Sequence, residues 1–589
     1  MNIFDQRIEK LQAKMREDGL KAYIIPATDP HMSEECCSHF AAERFYFCPF
    51  KGSDGTLLVT LDNYYIYTDG RFWTEAEDDI KGSKCTLVYA GKAGVMSMSE
   101  FVKANDLYPL GMNESLFSYS SYLTFVKQGK EIKNISYVDM VENLPSLPEG
   151  KIWKVKESLL STTIEERVNS ILNIVKEHSA DSIIIPLLDD IAYVLGYRGN
   201  DIECTPVFYS YLVISNKDGV TLFIDKNKLP EEKLSAIVKV RDYEDFISYV
   251  NEHKDDKAII DSNRTNAFIC SSFKNALFMS SPVYEMKSVK GKVEIENTIE
   301  IQKIDAIAVI KLDKYIRDNI ACGNLNEYNL AKYLDNTRLE NERCFDLSFP
   351  TIAAADGNAS MMHYGPSEKV HSPLTLDNQL LLVDSGGQYY GGTTDTTRTF
   401  LVGKTISKEV IHDYTLTLKS QIALSTTIFE KGCSGHSLDV KAREIMWKEG
   451  LDYKCGTGHG VGYMSCVHEG PIGFRYYARP SRLDNAELVP GHIITVEPGV
   501  YKARKHGIRL ENNLLVVPAF ETEDGIFYKF KTITYCPYDK RGIDLTMLTD
   551  EELAWLNDYH KMVFETISPL IEDEELLSFL KSECEEIRR

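Results

Sequence analysis

The sequence predicts a three-domain protein in which two related α/β domains precede a larger domain of mixed α/β or α+β type. Three observations predict this class. The chain has 589 residues, which is more than one hydrophobic core usually organises. A pattern of helix, apolar strand and hairpin occurs twice in the first half. In the second half, amphipathic helices alternate with long apolar strands.

The first two domains are predicted to be diverged copies of one unit. In each, an amphipathic helix pattern runs into an apolar strand, AYIIPATD at 22–29 and DSIIIPLLDD at 181–190. A hairpin pattern follows each strand, at 55–71 and at 210–226. The order is the same and the spacing is similar, which favours duplication. Chance similarity between two ordinary α/β units is the open alternative.

Proline and glycine mark the expected joins between domains. The first join is predicted at 142–151, where ENLPSLPEGK contains two prolines and a glycine. The second is predicted near 281–292, before a long helix pattern from Val293 to Asn319. The predicted domains are residues 1–150, 151–290 and 291–589.

The third domain contains two pairs of predicted strands. LDNQLLLVDSGGQYYGGTTDTTRTFLVG at 376–403 predicts two strands around a glycine-rich turn, and 492–501 and 506–517 predict two more. Helix patterns at 410–431 and 436–449 lie between the pairs. This alternation predicts the mixed architecture of the domain.

The composition favours a cytoplasmic protein without nucleic-acid or membrane partners. The net charge is −22, and phosphate binding requires clustered Lys and Arg. The first residues lack the apolar segment of a secretory signal, and no apolar run reaches the roughly 20 residues that span a bilayer. The 13 cysteines are scattered without a CxxC pair, so we expect neither a disulfide framework nor a zinc–cysteine site.

Four carboxylates occupy positions inside apolar strand patterns. Asp384 ends LLLVD, Glu497 ends ITVE, Glu511 lies in IRLEN, and Asp395 lies among the threonines of a partner strand. Each would cost several kcal/mol if it were buried without a partner. His459 lies in the glycine-rich segment GTGHGVG.

Two arrangements could stabilise these carboxylates. One is ion pairing with Arg398 and Arg509, the latter with Asp395 as its expected partner. The other is metal coordination, because carboxylates with one imidazole form the ligand set of Mn²⁺, Co²⁺ or Zn²⁺. Four carboxylates carry more charge than one ion neutralises, whereas two ions about 4 Å apart would balance them and catalyse hydrolysis. The complete set favours a two-metal hydrolytic site.

The sequence around these residues resembles a known peptidase family. VDSGGQYYGGTTDTTRT, GTGHGVG, VEPGVY and GIRLEN, in this order, are similar to the family of methionine aminopeptidase, prolidase and aminopeptidase P. Gly391 departs from the pattern, which often has Asp there, at a position that is not a ligand. The resemblance implies two divalent ions, manganese by the family's usual choice, with cobalt or zinc as alternatives. It assigns Asp384 to one ion, His459 and Glu497 to the other, and Asp395 and Glu511 as bridges.

Further segments resemble the cytosolic, three-domain aminopeptidase P more closely. They are ERFYFCPFKGSDGTLLV, IYTDGRF, LDDIAYVLGYRGNDI, MMHYGP, VHEGPIGF and LTDEELAWLNDYH. This resemblance covers essentially the whole chain and implies two creatinase-like α/β domains followed by a pita-bread catalytic domain. It also implies a homodimer that removes the N-terminal residue from peptides with proline in second position. The attacking group would be a hydroxide that bridges the two metals.

The resemblance also assigns catalytic roles to three residues. His363 and His468 would be ordinary loop histidines on composition alone, but the resemblance places both at the substrate pocket. There they would hold the substrate carbonyl or its oxyanion. Glu497 would serve as a metal ligand and as the carboxylate that transfers a proton to the departing amine.

Three more residues complete the predicted substrate-binding set. Arg509 lies two residues before Glu511 on the same predicted strand face, which places it beside the metals. Tyr501 would contact substrate, and a core tyrosine with a satisfied hydroxyl is its alternative. Arg71 would reach the active site from the first domain, and a surface partner or helix cap is its alternative.

Two other functions stay open. A prolidase would cleave only X-Pro dipeptides and would need a block against longer chains. A catalytically inert, peptidase-like binding module would keep the fold, but such proteins typically replace the ligands, and all five are present here.

Overall fold

The computed structural model describes residues 2–232, 234–477 and 486–589. Two compact units are present. The N-terminal unit is formed by Met1–Val155 and Thr162–Tyr284, and the C-terminal unit by Lys156–Ser161 and Glu285–Arg589. Among the described residues, no helix is long and apolar enough to cross a membrane.

The N-terminal unit contains two six-stranded sheets with the same topology. In both sheets the strands, numbered by their order along the chain, lie in the spatial order 4-3-2-1-5-6. Strands 1, 2 and 3 pair antiparallel, and the remaining neighbours pair parallel. Identical order and orientation over six strands confirm the predicted duplication. The strands are Ala22–Ile25, Thr56–Thr60, Tyr64–Thr68, Thr86–Tyr89, Leu110–Met112 and Ile132–Asn134, then Ser182–Ile185, Ser210–Ser215, Gly219–Ile224, Val238–Arg241, Ala258–Ile260 and Leu277–Phe278.

Amphipathic helices cover these sheets. The helix before each first strand places an apolar stripe on its sheet, with Ile8, Leu11 and Met15 buried in the first copy. The second begins at a capping box between Thr163 and Glu166. The helices are Ile3–Glu17, Ser38–Phe47, Trp73–Asp79, Met98–Ala104, Tyr119–Val126, Ile164–Glu177, Leu188–Leu195, Asp245–Glu252 and Ala267–Ser272. A further helix, Pro282–Ser288, spans the chain boundary between the two units.

The C-terminal unit is built on a three-stranded and a six-stranded antiparallel sheet. The three-stranded sheet is Ile352–Ala355, Leu380–Ser385 and Thr396–Leu401. The six-stranded sheet, in spatial order, is Ile428–Glu430, Gly525–Thr532, Asn512–Thr522, Ile493–Val496, Gly458–Gly460 and Glu469–Phe474. Smaller sheets pair Gly499–Lys502 with His506–Arg509 and Leu325–Asn326 with Pro373–Leu374. A three-stranded sheet has Gly387–Tyr389 between Cys344–Leu347 and Gly392–Thr393.

Helices pack on these sheets and complete the core. The predicted helix from Val293 is confirmed and spans Lys292–Asn319, but the helix predicted over 410–431 ends at Ser425, because strand Ile428–Glu430 follows. The helices are Lys292–Asn319, Glu327–Leu339, Lys408–Ser425, Gly435–Leu438, Val440–Lys448, Asp550–Ile567 and Glu574–Glu583. Two mixed sheets of the same topology in the N-terminal unit, and helix-covered antiparallel sheets in the C-terminal unit, confirm the predicted fold class.

Two of the predicted strands are each broken in the middle. The segment predicted as 492–501 divides into Ile493–Val496 and Gly499–Lys502, and the segment predicted as 506–517 divides into His506–Arg509 and Asn512–Thr522. In each case the two halves join different sheets. The bounds of the three predicted domains stay predictions.

Candidate metal centre

The first two predicted ligands lie at one edge of the three-stranded sheet. Asp384 lies inside strand Leu380–Ser385, opposite Thr397. Asp395 was expected within the partner strand, but it directly precedes strand Thr396–Leu401. Both side chains are buried. The antiparallel pairing of these strands therefore brings the two carboxylates to the same end of the sheet.

Glu497 and Glu511 lie at the two strand breaks. Glu497 follows Ile493–Val496 and precedes Pro498, which has no backbone N–H to continue a ladder. Glu511 lies between His506–Arg509 and Asn512–Thr522. At these residues the backbone leaves one sheet and enters another. The regular alternation of side chains along a strand is therefore interrupted at both carboxylates.

His459 lies on the short strand Gly458–Gly460, between these carboxylates. Its Nδ1 donates to the carbonyl oxygen of Gly460 at 3.0 Å, so Nε2 carries the free lone pair. That Nε2 lies 3.3 Å from Asp395 Oδ2 and 3.4 Å from Glu497 Oε1. The ring is thus oriented with its ligand nitrogen towards two of the predicted metal-binding carboxylates.

Three of the five predicted ligands form a compact cluster. One ligand atom each from Asp395, His459 and Glu511 lie within 4.8 Å of one another, and all three residues are buried. Glu497 joins through its contact with His459, and Asp384 through the electrostatic influence it exerts on Asp395. The compact set therefore contains three of the five predicted ligands, with Glu497 in contact with His459 and Asp384 close enough to raise the pKa of Asp395.

The buried carboxylates of the cluster repel one another, and a bound cation would relieve this repulsion. Burial raises the pKa of Asp395 well above its usual value, and the neighbouring Asp384 and Glu497 carboxylates raise it further. The pKa of Glu511 is raised for the same reasons, by burial and then by Asp395, Glu497 and Asp384. In the described part of the chain, the buried Asp384 Oδ1 has no hydrogen-bond partner. Clustered oxygen donors with one imidazole fit divalent ions such as Mn²⁺.

Arg509 pairs with Asp384, whereas the sequence suggested Asp395. Its Nη2 donates to Asp384 Oδ2 at 2.5 Å, its Nη1 to the Tyr501 hydroxyl at 2.7 Å, and its Nε to Thr397 Oγ1 at 3.1 Å. The strand that carries Asp384 contacts the strand that carries Arg509, and the Arg509 strand pairs directly with the Tyr501 strand. One guanidinium cannot balance four carboxylates, so a net negative charge is left at the site.

Arg398, the other candidate ion-pair partner, contacts no carboxylate in the described residues. Its buried guanidinium donates to the carbonyl oxygen of Glu511 at 2.6 Å, to Asn512 Oδ1 at 2.8 Å and to the Tyr559 hydroxyl at 2.9 Å. Arg398 therefore supports the backbone of a predicted ligand. It leaves the acidic charge of the site uncompensated.

Two threonines that sequence reasoning missed also hold the carboxylates. Thr397 Oγ1 donates to Glu511 Oε2 at 2.8 Å, and Thr495 Oγ1 lies 3.4 Å from Glu497 Oε1. Thr495 also accepts the backbone N–H of His459 at 3.1 Å. Each threonine lies two residues from a predicted ligand, which is the spacing of one strand face. That spacing is the signal by which the sequence could have identified them.

The structure places His468 against the cluster, and His363 adjoins Met362, a neighbour of Arg509. The exposed His468 ring lies perpendicular to His459, with centroids 4.3 Å apart. His363 is exposed and follows Met362, whose carbonyl oxygen lies 3.5 Å from Arg509 Nη2. Tyr501 is largely buried, and its hydroxyl accepts from Arg509. The roles of these residues in substrate binding stay predictions.

Arg71 belongs to the N-terminal unit and pairs locally there. Its guanidinium contacts Asp54 at 2.5 Å and Asp69 at 2.9 Å. These contacts favour the surface-partner alternative that the sequence left open for this residue.

Family models match successive parts of the chain. Metallopeptidase family M24 matches residues 296–518, and the C-terminal region of peptidase M24 matches 526–587. Creatinase/prolidase N-terminal domains match 7–144 and 143–294. Both sheets of the N-terminal unit and the whole candidate metal centre lie inside these matches.

Relatives and one solved structure match over nearly the full length. Xaa-Pro aminopeptidase 1 of Dictyostelium discoideum is 33% identical, over 98% of this chain and 96% of its own. Xaa-Pro aminopeptidase 2 of Rattus norvegicus is 31% identical, over 97% of this chain and 86% of its own. The X-prolyl aminopeptidase of Caenorhabditis elegans is described as a cytosolic enzyme with a di-nuclear active site. It is 28% identical, has a TM-score of 0.92, and the match covers 99% of each chain.

Proposed function

Because this chain belongs to the Xaa-Pro aminopeptidases of metallopeptidase family M24, we propose that it is a metal-dependent aminopeptidase acting on peptides with proline in second position. The observation that carries this proposal is the buried cluster of Asp395, His459 and Glu511. It occurs in a chain that resembles such enzymes from end to end.

Two divalent ions fit the donor set. Asp384 would hold one ion, His459 and Glu497 the other, and Asp395 and Glu511 both. When bound, two such ions lower the pKa of water and polarise the peptide carbonyl. Manganese is the ion we propose, with cobalt or zinc as alternatives, since the donors do not discriminate strongly among them.

The chain's own residues supply positioning and proton transfer. The Glu497 side chain is 19% exposed, so its carboxylate can reach the substrate, accept a proton and pass it to the departing amine. His468, exposed beside His459, would stabilise negative charge on the substrate carbonyl oxygen. Arg509 would fix Asp384 and Tyr501 in place through its two guanidinium nitrogens. His363 would contact substrate from the adjoining loop.

Proline in second position changes what the site must recognise. An X-Pro peptide bond has no amide N–H. An enzyme that recognises its substrate through a hydrogen bond from this N–H therefore cannot bind an X-Pro peptide in that way. We propose that this site relies on the substrate's free amino group and on its carbonyl oxygen. The acidic charge at the cluster favours the cationic N-terminus.

A comparison of three substrates tests the proposal. Purified protein with Mn²⁺ should release arginine from Arg-Pro-Pro and leave a Met-Ala peptide intact. Hydrolysis of Gly-Pro without hydrolysis of Arg-Pro-Pro would indicate a prolidase. Failure to cleave any of the three, in protein that retains its metal, would favour a binding module.

Two broader properties complete the proposal. We propose a cytosolic location, supported by the cytosolic enzyme of Caenorhabditis elegans that this chain resembles. We also propose a homodimer, supported by the resemblance of the C-terminal segment around Trp555 to that of three-domain aminopeptidase P. Size-exclusion chromatography with light scattering would test the dimer.

A further inference from the structure

A buried ion pair lies next to the metal centre and has no part in the mechanism described above. Lys290 Nζ contacts the Glu469 carboxylate, and the two side chains are 1% and 3% exposed. Lys290 Nζ also donates to the carbonyl oxygen of Lys287 at 3.0 Å. Both charges are therefore removed from solvent and held in a fixed geometry.

Glu469 directly follows His468 in the chain. It begins strand Glu469–Phe474 and pairs with Gly460, the residue after the metal-ligand candidate His459. The approach is so close that a Cβ on Gly460 would lie 2.1 Å from the Glu469 carbonyl oxygen. The backbone of Glu469 is thus packed against the strand that carries His459.

The loop before Glu469 is anchored at a second point. The carbonyl oxygen of Ser465 accepts from Gln388 Nε2 at 2.8 Å, and the backbone N–H of Ser465 donates to Thr393 Oγ1 at 3.3 Å. His468 lies between Ser465 and Glu469. Its backbone is therefore held from both sides, while its ring stays exposed against His459.

The other partner of the ion pair is equally fixed. The backbone N–H of Lys290 donates to the carbonyl oxygen of Gly491 at 3.0 Å. Two residues earlier, Ser288 Oγ lies 3.1 Å from His492 Nε2. Lys290 is therefore tied to the segment that enters strand Ile493–Val496, the neighbour of the strand that carries His459.

We propose that Lys290 and Glu469 are positioning residues for His468. The inference rests on the proposed function, in which His468 acts on the substrate carbonyl. Replacing a buried ion pair by apolar residues is often neutral or stabilising, so stability alone does not explain this one. What the pair supplies is a fixed distance between the entry to strand Ile493–Val496 and the end of the His468 loop. A small displacement of a reacting group can reduce the rate about 100-fold.

The test measures kcat, KM and metal content for Glu469→Gln and Lys290→Met, each in the native chain and in His468→Ala. Glu469→Gln keeps the side-chain volume, so it serves if Lys290→Met fails to fold. We expect kcat for Arg-Pro-Pro to fall by about 10- to 100-fold in the native background, with KM and metal content within about twofold. In the His468→Ala background, either change should lower kcat by less than about twofold further, because the group it positions is gone.

Two further variants separate position from stability. The double change Lys290→Met/Glu469→Leu should recover the melting temperature while kcat stays low. The matched control is Lys228→Met/Asp201→Asn, which removes a similarly buried Lys–Asp pair from the N-terminal unit, with side chains 4% and 0% exposed. It should lower the melting temperature without the loss of kcat that Glu469→Gln causes.

Three results would overturn the inference. One is an unchanged kcat in Glu469→Gln, and another is an equal loss in the His468→Ala background. The third is recovery of kcat together with stability in the double variant. If His468→Ala alone kept full kcat, the role given to His468 in the proposed function would itself be wrong, which distinguishes the two failures.

Discussion

Arg509 and Asp384 form a buried ion pair that uses only one of the two carboxylate oxygens. Arg509 Nη2 donates to Oδ2 at 2.5 Å, while Oδ1 has no hydrogen-bond partner within the described residues. A buried carboxylate oxygen without a partner is costly. We interpret Oδ1 as the atom that Asp384 offers to a cation.

Replacing this oxygen should remove one ion. In Asp384→Asn the amide carries no charge, so we expect the metal content to fall from two ions per chain towards one, and kcat to fall at least about 100-fold. Elemental analysis of desalted protein measures the metal content. The exposed Asp377→Asn is the matched control and should keep both ions. Full metal content in Asp384→Asn would contradict this assignment.

Metal binding should strengthen as the pH rises. In the metal-free protein the raised pKa values of Asp395 and Glu511 mean that folding retains protons that the unfolded chain has lost. Their contribution to stability is therefore present at low pH and is lost as the pH rises through the folded-state pKa values. Cations need both groups deprotonated, so affinity should rise up to about tenfold per pH unit for each proton released.

Thermal denaturation checks this pH dependence. The rise in melting temperature on adding Mn²⁺ should be larger at about pH 7.5 than at about pH 5.5, because the two carboxyls lose their protons more readily at the higher pH. An equal or smaller rise at the higher pH would show that these carboxyls do not release protons on binding.

Glu497→Gln should separate proton transfer from folding. The amide keeps the size of the side chain and can still lie beside His459, but it cannot accept a proton. We expect kcat to fall by about 100- to 10,000-fold with little change in melting temperature. The exposed Glu523→Gln should retain full activity. An active, metal-replete Glu497→Gln would refute the role given to this carboxylate.

His560 should make the protein less stable in acid. Burial lowers its pKa to about 3, with Lys540 and Arg398 adding to the effect, and its Nε2 accepts the backbone N–H of Tyr538 at 3.2 Å. Because the folded-state pKa lies below the unfolded value of about 6.5, its stabilising contribution is present above pH 6.5 and is lost on acidification. At pH 5 the loss is about 2 kcal/mol.

The variant His560→Gln should reduce this loss. Its side-chain oxygen can accept from Tyr538 without titrating, so chelator-treated His560→Gln should lose less stability than the native chain between pH 7 and pH 5. Chemical denaturation at the two pH values measures the difference. The exposed His371→Gln is the control and should behave like the native chain.

The sequence predicted the architecture because its patterns are local. Period-two alternation and hairpin turns indicated the strands of both N-terminal copies, and the shared strand order confirms the duplication. The breaks at Glu497 and Glu511 could not be predicted in this way, because both halves of each segment are strand-like. Only tertiary pairing decides that the halves join different sheets.

The sequence indicated which residues form the candidate site, but it did not indicate all the contacts among them. Acidic residues inside apolar strand patterns predict a cation site from the sequence alone. The predicted ion-pair partner of Arg509 and the predicted ion pairing of Arg398 were wrong. Ion pairing depends on which strand ends meet in three dimensions, and the sequence does not show this. Thr397 and Thr495 were missed because threonine is common in strands and carries no charge.

The central claim is that metal held by these five residues makes the chain an X-Pro aminopeptidase. The most direct measurement is arginine release from Arg-Pro-Pro by chelator-treated protein, before and after Mn²⁺ is restored. We expect no release without metal and recovery of activity as two ions per chain are bound. Release by the metal-free protein, or none after both ions are restored, would contradict it.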